Sequence, residues 1–476
     1  MKRPAVLVLA VALAGCPGRG SGPSARSAPG QSPTAAGNGL SVLLITIDTL
    51  RADHLGLYGY RRSTSPHIDA FARTGVVFDR AYTFWPKTRG SFVAMMTGRH
   101  PSRSGYSKAH PLVLGFNPTL AEVLKNAGYR TAAIVDNPNV AAQYGFGKGF
   151  DSYRETWEEK GLATEVDRAH AITEAAVRFL RDAPADPPFF LWLHYVNPHA
   201  PYNPPPPFDT AFLDDAAQSG PRLKVAAGYH GGIPKQWAVP RQDRLGYYVA
   251  QYDGEIAAVD EEVGKIVEAL GATAALGRTV VVMTSDHGES LGEHDYYFDH
   301  GEDLFEPSLA VPLVVVGPMA KPETRSAVFA STLDVLPTIL DAVKVSYPPD
   351  LAGASLLPAL GSGTAAARER LFAQNDRNLS ASWDLRFKVV ATPTAEGRRY
   401  ALYDRLADPA EARDVAAARS DDLRVQAREL ALFLERADRE WSRTRLALTG
   451  APGEGPMSAE ACEKLRSLGY VGACPQ

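Results

Sequence analysis

Short runs of mainly apolar residues recur along the first two thirds of the chain, each bounded by polar residues, glycine or proline. These runs occupy residues 41–47, 131–135, 189–193, 279–283 and 311–316. Unbroken apolar character over such a length is typical of strands that are buried on both faces. The pattern therefore predicts a sheet whose strands are covered from both sides.

Helical patterns lie between these runs. One follows Pro118 and stops before Gly128, and in another the apolar residues from Leu245 to Leu270 recur every three or four positions. Alternation of strands and helices predicts an α/β fold with a mainly parallel central sheet flanked by helices. Residues 203–240, rich in proline and glycine, are predicted to form a long ordered loop over the edge of the sheet that carries the functional residues.

The pattern changes after residue 364. Short apolar runs at 371–373, 387–391 and 399–403 indicate strands, and the spacing from Leu423 to Trp441 indicates one face of a helix. We expect a small antiparallel sheet with a covering helix. A chain of 476 residues suits a large domain plus a smaller one, so residues 41–364 and 365–476 are predicted as the main domain and a C-terminal α+β subdomain.

The N-terminus has the pattern of an export signal. Lys2 and Arg3 precede an apolar run at 5–14, and Leu13-Ala14-Gly15-Cys16 resembles the lipobox of bacterial lipoproteins. Residues 1–16 are thus predicted to be a signal peptide and Cys16 to carry a membrane-anchoring lipid, which makes the protein an exported cell-envelope lipoprotein, periplasmic or anchored to the outer membrane. The alternative is an ordinary signal peptide with an incidental Cys16. Residues 17–40 are predicted to form a flexible Gly/Pro/Ser linker.

The composition narrows the classes of binding partner that we expect. The net charge of −4 and pI near 6.3 give no basic surface of the kind that binds nucleic acid, so no nucleic-acid partner is expected. Two cysteines remain beyond Cys16, namely Cys462 and Cys474. In an exported protein they could form a disulfide, or they could be unpaired thiols in a frayed tail, and the sequence leaves both open.

Candidate chemistry follows the ends of the predicted strands. Asp48 directly follows one strand, and Asp286 and His287 follow another; neighbouring parallel strands end at one edge, so these groups can converge. Thr88, within the segment 87–98, is the candidate nucleophile, and its hydroxyl is inert unless a metal ion or a base activates it. We therefore predict a divalent-metal shell made of Asp48, Thr88, Asp286 and His287.

Seven segments carry a family resemblance because of their residues and their order. They are I-D-T-L-R-A-D-H-L-G-L-Y-G at 47–59, S-P-H-I-D-A-F-A-R-T-G-V-V-F-D-R-A-Y at 65–82, M-T-G-R-H-P at 96–101, H-Y-V-N-P-H-A-P-Y at 194–202, T-S-D-H-G-E-S-L-G-E-H at 284–294, H-G-E-D-L-F-E-P-S-L-A-V-P-L-V-V at 300–315 and L-R-S-L-G-Y at 465–470. Taken together, the chain resembles the sulfatase family of the alkaline phosphatase superfamily. The resemblance implies that residues 41–364 are the catalytic domain.

The chain departs from the family at the nucleophile. Sulfatases carry C-x-P-x-R, whose cysteine becomes formylglycine, and counting back from Thr97 places Thr88 at the cysteine, Gly90 at the proline and Phe92 at the arginine. Thr49 replaces the second aspartate of the usual metal pair. The resemblance thus implies a branch with threonine in place of the cysteine, without formylglycine, for which phosphate esters join sulfate esters as a substrate class.

The same resemblance implies roles for two histidines. His199 would lie near the ester's non-bridging oxygens or leaving group and could act as an acid or help hold a second ion, and His300 would lie at a substrate-contacting position. Lys87 and Arg89 flank the nucleophile and would neutralise the ester's charge, although one of them could simply point to solvent. For His294, function and packing are equally open.

The expected function is that of a metal-dependent hydrolase of sulfate or phosphate esters. Metal-activated Thr88 would attack the ester, and water would hydrolyse the covalent threonyl intermediate. The cofactor is expected to be a divalent ion, manganese, zinc or calcium, and the substrate a small-molecule, glycan or lipid-head-group ester. Two alternatives stand beside this: an envelope phospho-group transferase of the same superfamily, and a catalytically inactive sulfatase-like binding protein.

Overall fold

In the computed structural model, a sheet of eight strands forms the centre of the protein. The strands of the described chain are β1 Ser41–Ile47, β2 Val76–Tyr82, β3 Arg130–Val135, β4 Ser152–Glu155, β5 Phe189–Tyr195, β6 Val225–Ala226, β7 Ile233–Pro234, β8 Thr279–Thr284, β9 Ser290–Leu291, β10 Tyr297–Asp299, β11 Leu313–Val316, β12 Thr324–Ser331, β13 Leu371–Gln374, β14 Ser380–Trp383, β15 Phe387–Thr394 and β16 Gly397–Asp404. The central sheet has the order β12-β2-β11-β8-β1-β5-β3-β4. Only β11 runs antiparallel to its neighbours among these described strands. The predicted mainly parallel sheet is confirmed.

The structure describes residues 37–101, 106, 117–214, 217–218, 220–273, 275–347, 350–362, 368–447, 457–471 and 474. All of them belong to one compact unit, residues 35–476. The predicted signal peptide, Cys16 and the linker up to residue 36 lie outside the described residues. Asn38 is described, and its backbone N–H donates to the carbonyl of Val343 at 3.0 Å.

The five predicted apolar runs all correspond to strands of the central sheet, namely β1, β3, β5, β8 and β11. Three of its strands, β2, β4 and β12, were not predicted. β12 and β4 are the edge strands, and β2 and β12 alternate buried positions with exposed ones such as Asp79 and Arg325. Strands of this kind do not form unbroken apolar runs, which is why the pattern missed them.

Helices cover the sheet on both faces. The α-helices of the described chain are α1 Pro66–Ala72, α2 Thr88–Thr97, α3 Leu120–Asn126, α4 Glu165–Asp182, α5 Phe208–Ala211, α6 Leu245–Gly271, α7 Glu306–Leu309, α8 Val335–Ala342, α9 Leu357–Ser362, α10 Ser420–Ala447 and α11 Ala459–Ser467. The predicted helix after Pro118 is α3, where Thr119 and Glu122 form a reciprocal capping box. The predicted apolar repeat from Leu245 to Leu270 forms the buried face of α6.

Successive residues of β1 point to opposite faces of the sheet, as the pleat requires. Leu44 lies in a core with Phe92 of α2, whereas Ile45 lies in a second core with Ile256 of α6. The strand is thus buried on both faces, which explains its unbroken apolar sequence.

A four-stranded antiparallel sheet, β13-β14-β15-β16, follows in the C-terminal part, and α10 packs on β14 and β15. The predicted antiparallel sheet is confirmed, with β14 as a strand that the sequence pattern did not reveal. Phe387 of β15 and Phe433 of α10 belong to the same core as Phe92 of the central part. The boundary between residues 364 and 365 stays a prediction.

In the described part of the predicted long loop at 203–240, the elements are all short: α5, β6, β7 and a turn of 3-10 helix at Lys235–Trp237. Cys462 and Cys474 form a disulfide, which decides the alternative that the sequence left open. Within the described ranges, no helix combines the length and the apolar character that crossing a membrane requires.

A buried ion pair in β15 allows a test of the C-terminal packing. The Lys388 ammonium donates to Glu411 at 3.0 Å, and both side chains are 1% exposed. Lys388→Met should lower the free energy of unfolding by about 3 kcal/mol, because it leaves a buried carboxylate whose nearest remaining cation is farther away. Arg405, 3.6 Å from Glu411, limits the loss. Urea titration followed by circular dichroism measures the change.

The control is Lys265→Met, since Lys265 pairs with Glu262 while its side chain is 45% exposed. That variant should stay within about 0.5 kcal/mol of the wild type. Equal stability losses in the two variants would contradict the importance of burial for the Lys388 pair.

Candidate active site

Three chemically reactive side chains meet at the carboxyl edge of the central sheet. Asp48 directly follows β1, while Asp286 and His287 follow the neighbouring strand β8 within two to three residues. One donor atom from each lies within 4.8 Å of the others, and all three residues are fully buried. The structure therefore brings together the residues that the strand-end argument selected.

The two carboxylates present donor atoms without hydrogen-bond partners. Asp48 Oδ2 accepts from the Asn137 side chain at 2.6 Å, but Asp48 Oδ1 and Asp286 Oδ2 are buried and unpartnered among the described residues, as is the Thr49 hydroxyl oxygen. Leaving charged oxygens buried without partners costs considerable free energy. A bound cation would satisfy them, and this donor set of carboxylate oxygens, imidazole and hydroxyl fits a divalent ion.

Mutual repulsion separates the acidities of the two carboxyl groups. Burial and the Asp48 charge raise the pKa of Asp286 well above its usual value. Burial also acts to raise the pKa of Asp48. The hydrogen bond of the His194 imidazole and the charges of His199 and His287 outweigh burial, so the pKa of Asp48 lies below its usual value. A positive ion between the two carboxyl groups would favour ionisation of both.

His287 is oriented by its own loop. Its Nδ1 lies 3.0 Å from the carbonyl oxygen of Gly288, which can only accept, so Nδ1 carries the hydrogen and Nε2 presents a lone pair to the cluster. Nε2 lies 3.3 Å from Asp286 Oδ2. Burial lowers the pKa of His287 to about 4, so the imidazole is neutral at pH 7. A neutral, oriented imidazole of this kind is a good metal ligand.

Thr88 is the first residue of α2, and its hydroxyl faces the cluster. The Oγ lies 3.3 Å from His287 Nε2. The surroundings of two nearby residues are compatible with the departures from C-x-P-x-R that the family resemblance implies. A Cβ at Gly90 would overlap the Trp85 indole, and Phe92 is a buried core residue with its ring 5.1 Å from that of Trp192.

The other predicted site residues divide into two groups. His199 and His300 lie beside the cluster, their ring centroids 5.0 Å apart, with His300 4.1 Å from His287. Lys87 precedes Thr88 and is partly exposed. Arg89, by contrast, donates to the Asn139 carbonyl at 3.2 Å and stacks on Tyr144 at 3.6 Å, and these contacts already engage its guanidinium.

His294 lies outside the cluster, stacked on Phe305 at a ring distance of 3.6 Å. This contact agrees with the packing role, which is one of the two alternatives that the sequence left open for His294.

Sequence reasoning missed several groups that line the cluster, of which Tyr470 is the most important. Its hydroxyl lies 3.0 Å from Thr88 Oγ, although 382 residues separate them in the chain. Burial and the Asp48 charge keep its pKa well above the usual value, so the phenol retains its proton. The segment 465–470 was noticed as a family motif, but nothing in it indicated a place in the site. Asn137 offered a clearer signal, since it follows the end of β3.

Comparison with known proteins identifies the family. The profile described as Sulfatase matches residues 41–345, which is more than half of the chain. The chain belongs to the sulfatase family. A second profile, described as N-sulphoglucosamine sulphohydrolase, C-terminal, matches residues 292–431. The protein is accordingly a hydrolase that acts on ester bonds, and the family to which it belongs is metal-dependent.

The relatives of this sulfatase-family chain are distant in sequence. An N-acetylglucosamine-6-O-sulfatase of Bacteroides thetaiotaomicron is 24% identical over 402 residues, covering 67% of this chain and 70% of the relative. The human N-sulphoglucosamine sulphohydrolase is 28% identical over 337 residues, covering 64% and 63%. The crystal structure of a phosphonate monoester hydrolase of Agrobacterium radiobacter has a TM-score of 0.70 at 22% identity, covering 84% of this chain and 96% of that chain. This last likeness supports the shared fold.

The geometry of the cluster predicts its response to metal. Asp286→Asn should weaken Mn²⁺ binding at least about 100-fold, because it removes a charged donor from a set of buried groups. Calorimetric titration of metal-stripped protein measures the affinity.

Asp53→Asn is the control, since Asp53 pairs with Arg51 at 2.8 Å and its side chain is 65% exposed. Its Mn²⁺ affinity should equal that of the wild type. Unchanged affinity in Asp286→Asn would show that the ion binds elsewhere.

Proposed function

We propose that this sulfatase-family protein hydrolyses sulfate or phosphate esters with Thr88 as the nucleophile, and that Asp48, Asp286, His287 and Thr88 hold a divalent metal ion. The observation that supports this most directly is the position of Thr88 Oγ, 3.3 Å from His287 Nε2 at the edge of a buried cluster with unpartnered carboxylate oxygens. The ion, when bound, would lower the pKa of the Thr88 hydroxyl.

The reaction proceeds in two steps. Thr88 Oγ loses its proton and attacks the sulfur or phosphorus atom; a bond to Oγ forms, and the bond to the leaving alcohol breaks as that oxygen takes up a proton. Water then attacks the threonyl ester, which releases sulfate or phosphate and restores the Thr88 hydroxyl. Formylglycine hydrates release sulfate by collapsing to the aldehyde, and threonine has no such route, so the second step needs a base for the water.

His199 is suited to be that base. Its Nδ1 lies 2.5 Å from the Ala200 carbonyl oxygen, so Nδ1 carries the hydrogen and Nε2 carries the lone pair. Nε2 lies 3.2 Å from the Tyr470 hydroxyl, which also contacts Thr88 Oγ. The imidazole can accept the proton of the attacking water there. His300, on the other side of the same space, would contact the ester oxygens.

The charged groups beside Thr88 suit an anionic ester. Lys87 immediately precedes the nucleophile and is placed to neutralise charge that develops on the ester oxygens. Arg89 is a weaker candidate because Asn139 and Tyr144 already engage it. Relatives named for sulfated glucosamine support a sugar ester as substrate, and the phosphate class follows from the threonine. One imidazole among the donors favours manganese or zinc over calcium.

Substitution of the nucleophile tests this proposal. Thr88→Ala should lower kcat at least about 1000-fold, since it removes the hydroxyl that would form the covalent intermediate. Thr88→Ser should retain turnover within about 100-fold because it keeps the hydroxyl. Release of 4-nitrophenol from its sulfate, phosphate monoester and phosphodiester, with Mn²⁺, Zn²⁺ or Ca²⁺ added to metal-stripped protein, measures both the rate and the substrate class.

Thr97→Ala is the matched control at the other end of the same helix, where the Thr97 hydroxyl donates to the Val93 carbonyl at 2.6 Å. It should turn over at the wild-type rate. Full activity in Thr88→Ala would exclude the nucleophilic role. Formation of a glyceryl ester in the presence of glycerol would instead indicate transfer.

We also propose export and lipid attachment at Cys16. The support is the Leu13-Ala14-Gly15-Cys16 sequence together with the disulfide between Cys462 and Cys474, a bond typical of exported proteins. Labelled palmitate should be incorporated into the wild type expressed in a bacterial host and not into Cys16→Ser. Equal labelling of both would contradict the lipobox.

A further inference from the structure

The C-terminal segment reaches into the site from outside the central sheet. We call α11, residues 468–471 and Cys474 the C-terminal hook. The Cys462–Cys474 disulfide closes it into a loop, and Lys464 anchors it through ion pairs to Glu165 at 2.6 Å and Asp136 at 3.6 Å. The disulfide thus closes the hook on itself, and the buried ion pairs of Lys464 hold the hook against the body of the protein.

At the end of the hook, the Tyr470 hydroxyl makes three contacts. It lies 3.0 Å from Thr88 Oγ, 3.2 Å from His199 Nε2 and 3.0 Å from His300 Nε2. The Lys87 ammonium lies 5.6 Å from the centre of the Tyr470 ring. One oxygen atom of the hook therefore contacts the nucleophile and both histidines that would face an ester.

With the hook in place, the catalytic groups are closed to solvent. Thr88, Asp48, Asp286 and His287 are 0% exposed, and His199 and His300 are 1% exposed. Tyr470 itself is partly exposed and connects the cluster to the surface. An ester that reaches Thr88 must take a path that these side chains and the hook now fill.

The space is also the one that the ester needs. A sulfur or phosphorus atom must come within about 3–3.5 Å of Thr88 Oγ before attack, with its oxygens near the groups that stabilise them. The Tyr470 oxygen already lies at such a distance from Thr88. Tyrosine in this position and a bound ester exclude one another.

We propose that the C-terminal hook is an intramolecular occupant of the ester site: Tyr470 takes the place of an ester oxygen, and the ester binds only after Tyr470 is displaced. The proposal rests on the proposed function in that it places the ester beside Thr88. The disulfide ties the displaced tyrosine to α11, and the Lys464 ion pairs hold α11 beside the site. The tyrosine therefore returns at a high effective concentration when product leaves.

Tyr470 in the site competes with any tetrahedral anion. Anion affinity therefore reports how often Tyr470 occupies the site, and no turnover is needed. The apparent Kd equals the intrinsic Kd divided by the fraction of molecules in which the site is free. Calorimetric titration with inorganic phosphate, and separately with sulfate, into Mn²⁺-loaded protein should give at least about tenfold tighter binding for Tyr470→Ala. Tyr470→Phe, which keeps the ring and loses the three hydroxyl contacts, should shift in the same direction by a smaller factor.

Two further variants separate release of the hook from changes at the site. The Tyr229 hydroxyl donates to the Gly469 carbonyl at 3.3 Å, outside the cluster, so Tyr229→Phe should also tighten phosphate binding. Tyr400→Phe alters a tyrosine of β16 in the C-terminal sheet, and its phosphate affinity should equal that of the wild type. Thermal melts of all variants show that they are folded.

Reduction tests the covalent tether. Dithiothreitol, which opens the Cys462–Cys474 disulfide, should tighten phosphate binding by the wild type and leave Tyr470→Ala unchanged. The double variant Cys462→Ser/Cys474→Ser should bind tightly with or without the reductant.

Unchanged phosphate affinity in Tyr470→Ala would overturn the proposal. Weaker binding in that variant would do the same, because it would make Tyr470 a residue that contacts the bound anion. Failure of the proposed function would give a different result. In that case Thr88→Ala would keep its turnover, and the phosphate titrations would still show whether Tyr470 occupies the site.

Discussion

The burial of two carboxyl groups side by side is the constraint on which the site depends. Asp48 and Asp286 follow neighbouring parallel strands, so the sheet itself fixes their separation, and both are withdrawn from water. Burial and the Asp48 charge raise the pKa of Asp286, and oxygens on both carboxyl groups lack partners among the described residues. Only a tightly packed scaffold can maintain such an arrangement. The continuous apolar strands β1 and β8, covered on both faces, provide that scaffold, and a cation would relieve the cost that it carries.

Packing around α2 is compatible with the departure from the family's nucleophile motif that the resemblance implies. The indole of Trp85 fills the space that a Cβ at position 90 would need, and Phe92 extends the core where the family places a charged side chain. The helix that presents Thr88 is therefore held by packing instead of by an arginine in the site. Thr49 fills the position of an aspartate with a buried hydroxyl, which lowers the negative charge of the donor set by one. Both departures would alter the electrostatics around the proposed nucleophile.

The sequence predicted the part of the site that follows from a general rule of sheets. Strand ends converge, so Asp48, Asp286 and His287 could be placed together from apolar runs alone. Tyr470 follows from no such rule: it belongs to a short segment near the C-terminus, and its position depends on a disulfide and on ion pairs of α11 with residues far away in the chain. The edge strand β12 was not predicted from the sequence for a related reason, since its exposed positions interrupt the apolar pattern.

The proposed threonyl ester would make water as important to the chemistry as the substrate ester itself. Thr88, the candidate base His199 and the buried carboxyl groups are all closed to solvent when Tyr470 is in place. A site that stayed closed could not admit the water that the second step consumes, and a site that stayed open would hold its carboxyl groups in a wet, weakly interacting environment. Exchange between an occupied and a free state resolves this conflict: the same displacement that admits the ester admits the water, and the return of the tyrosine replaces the leaving anion with a neutral hydroxyl.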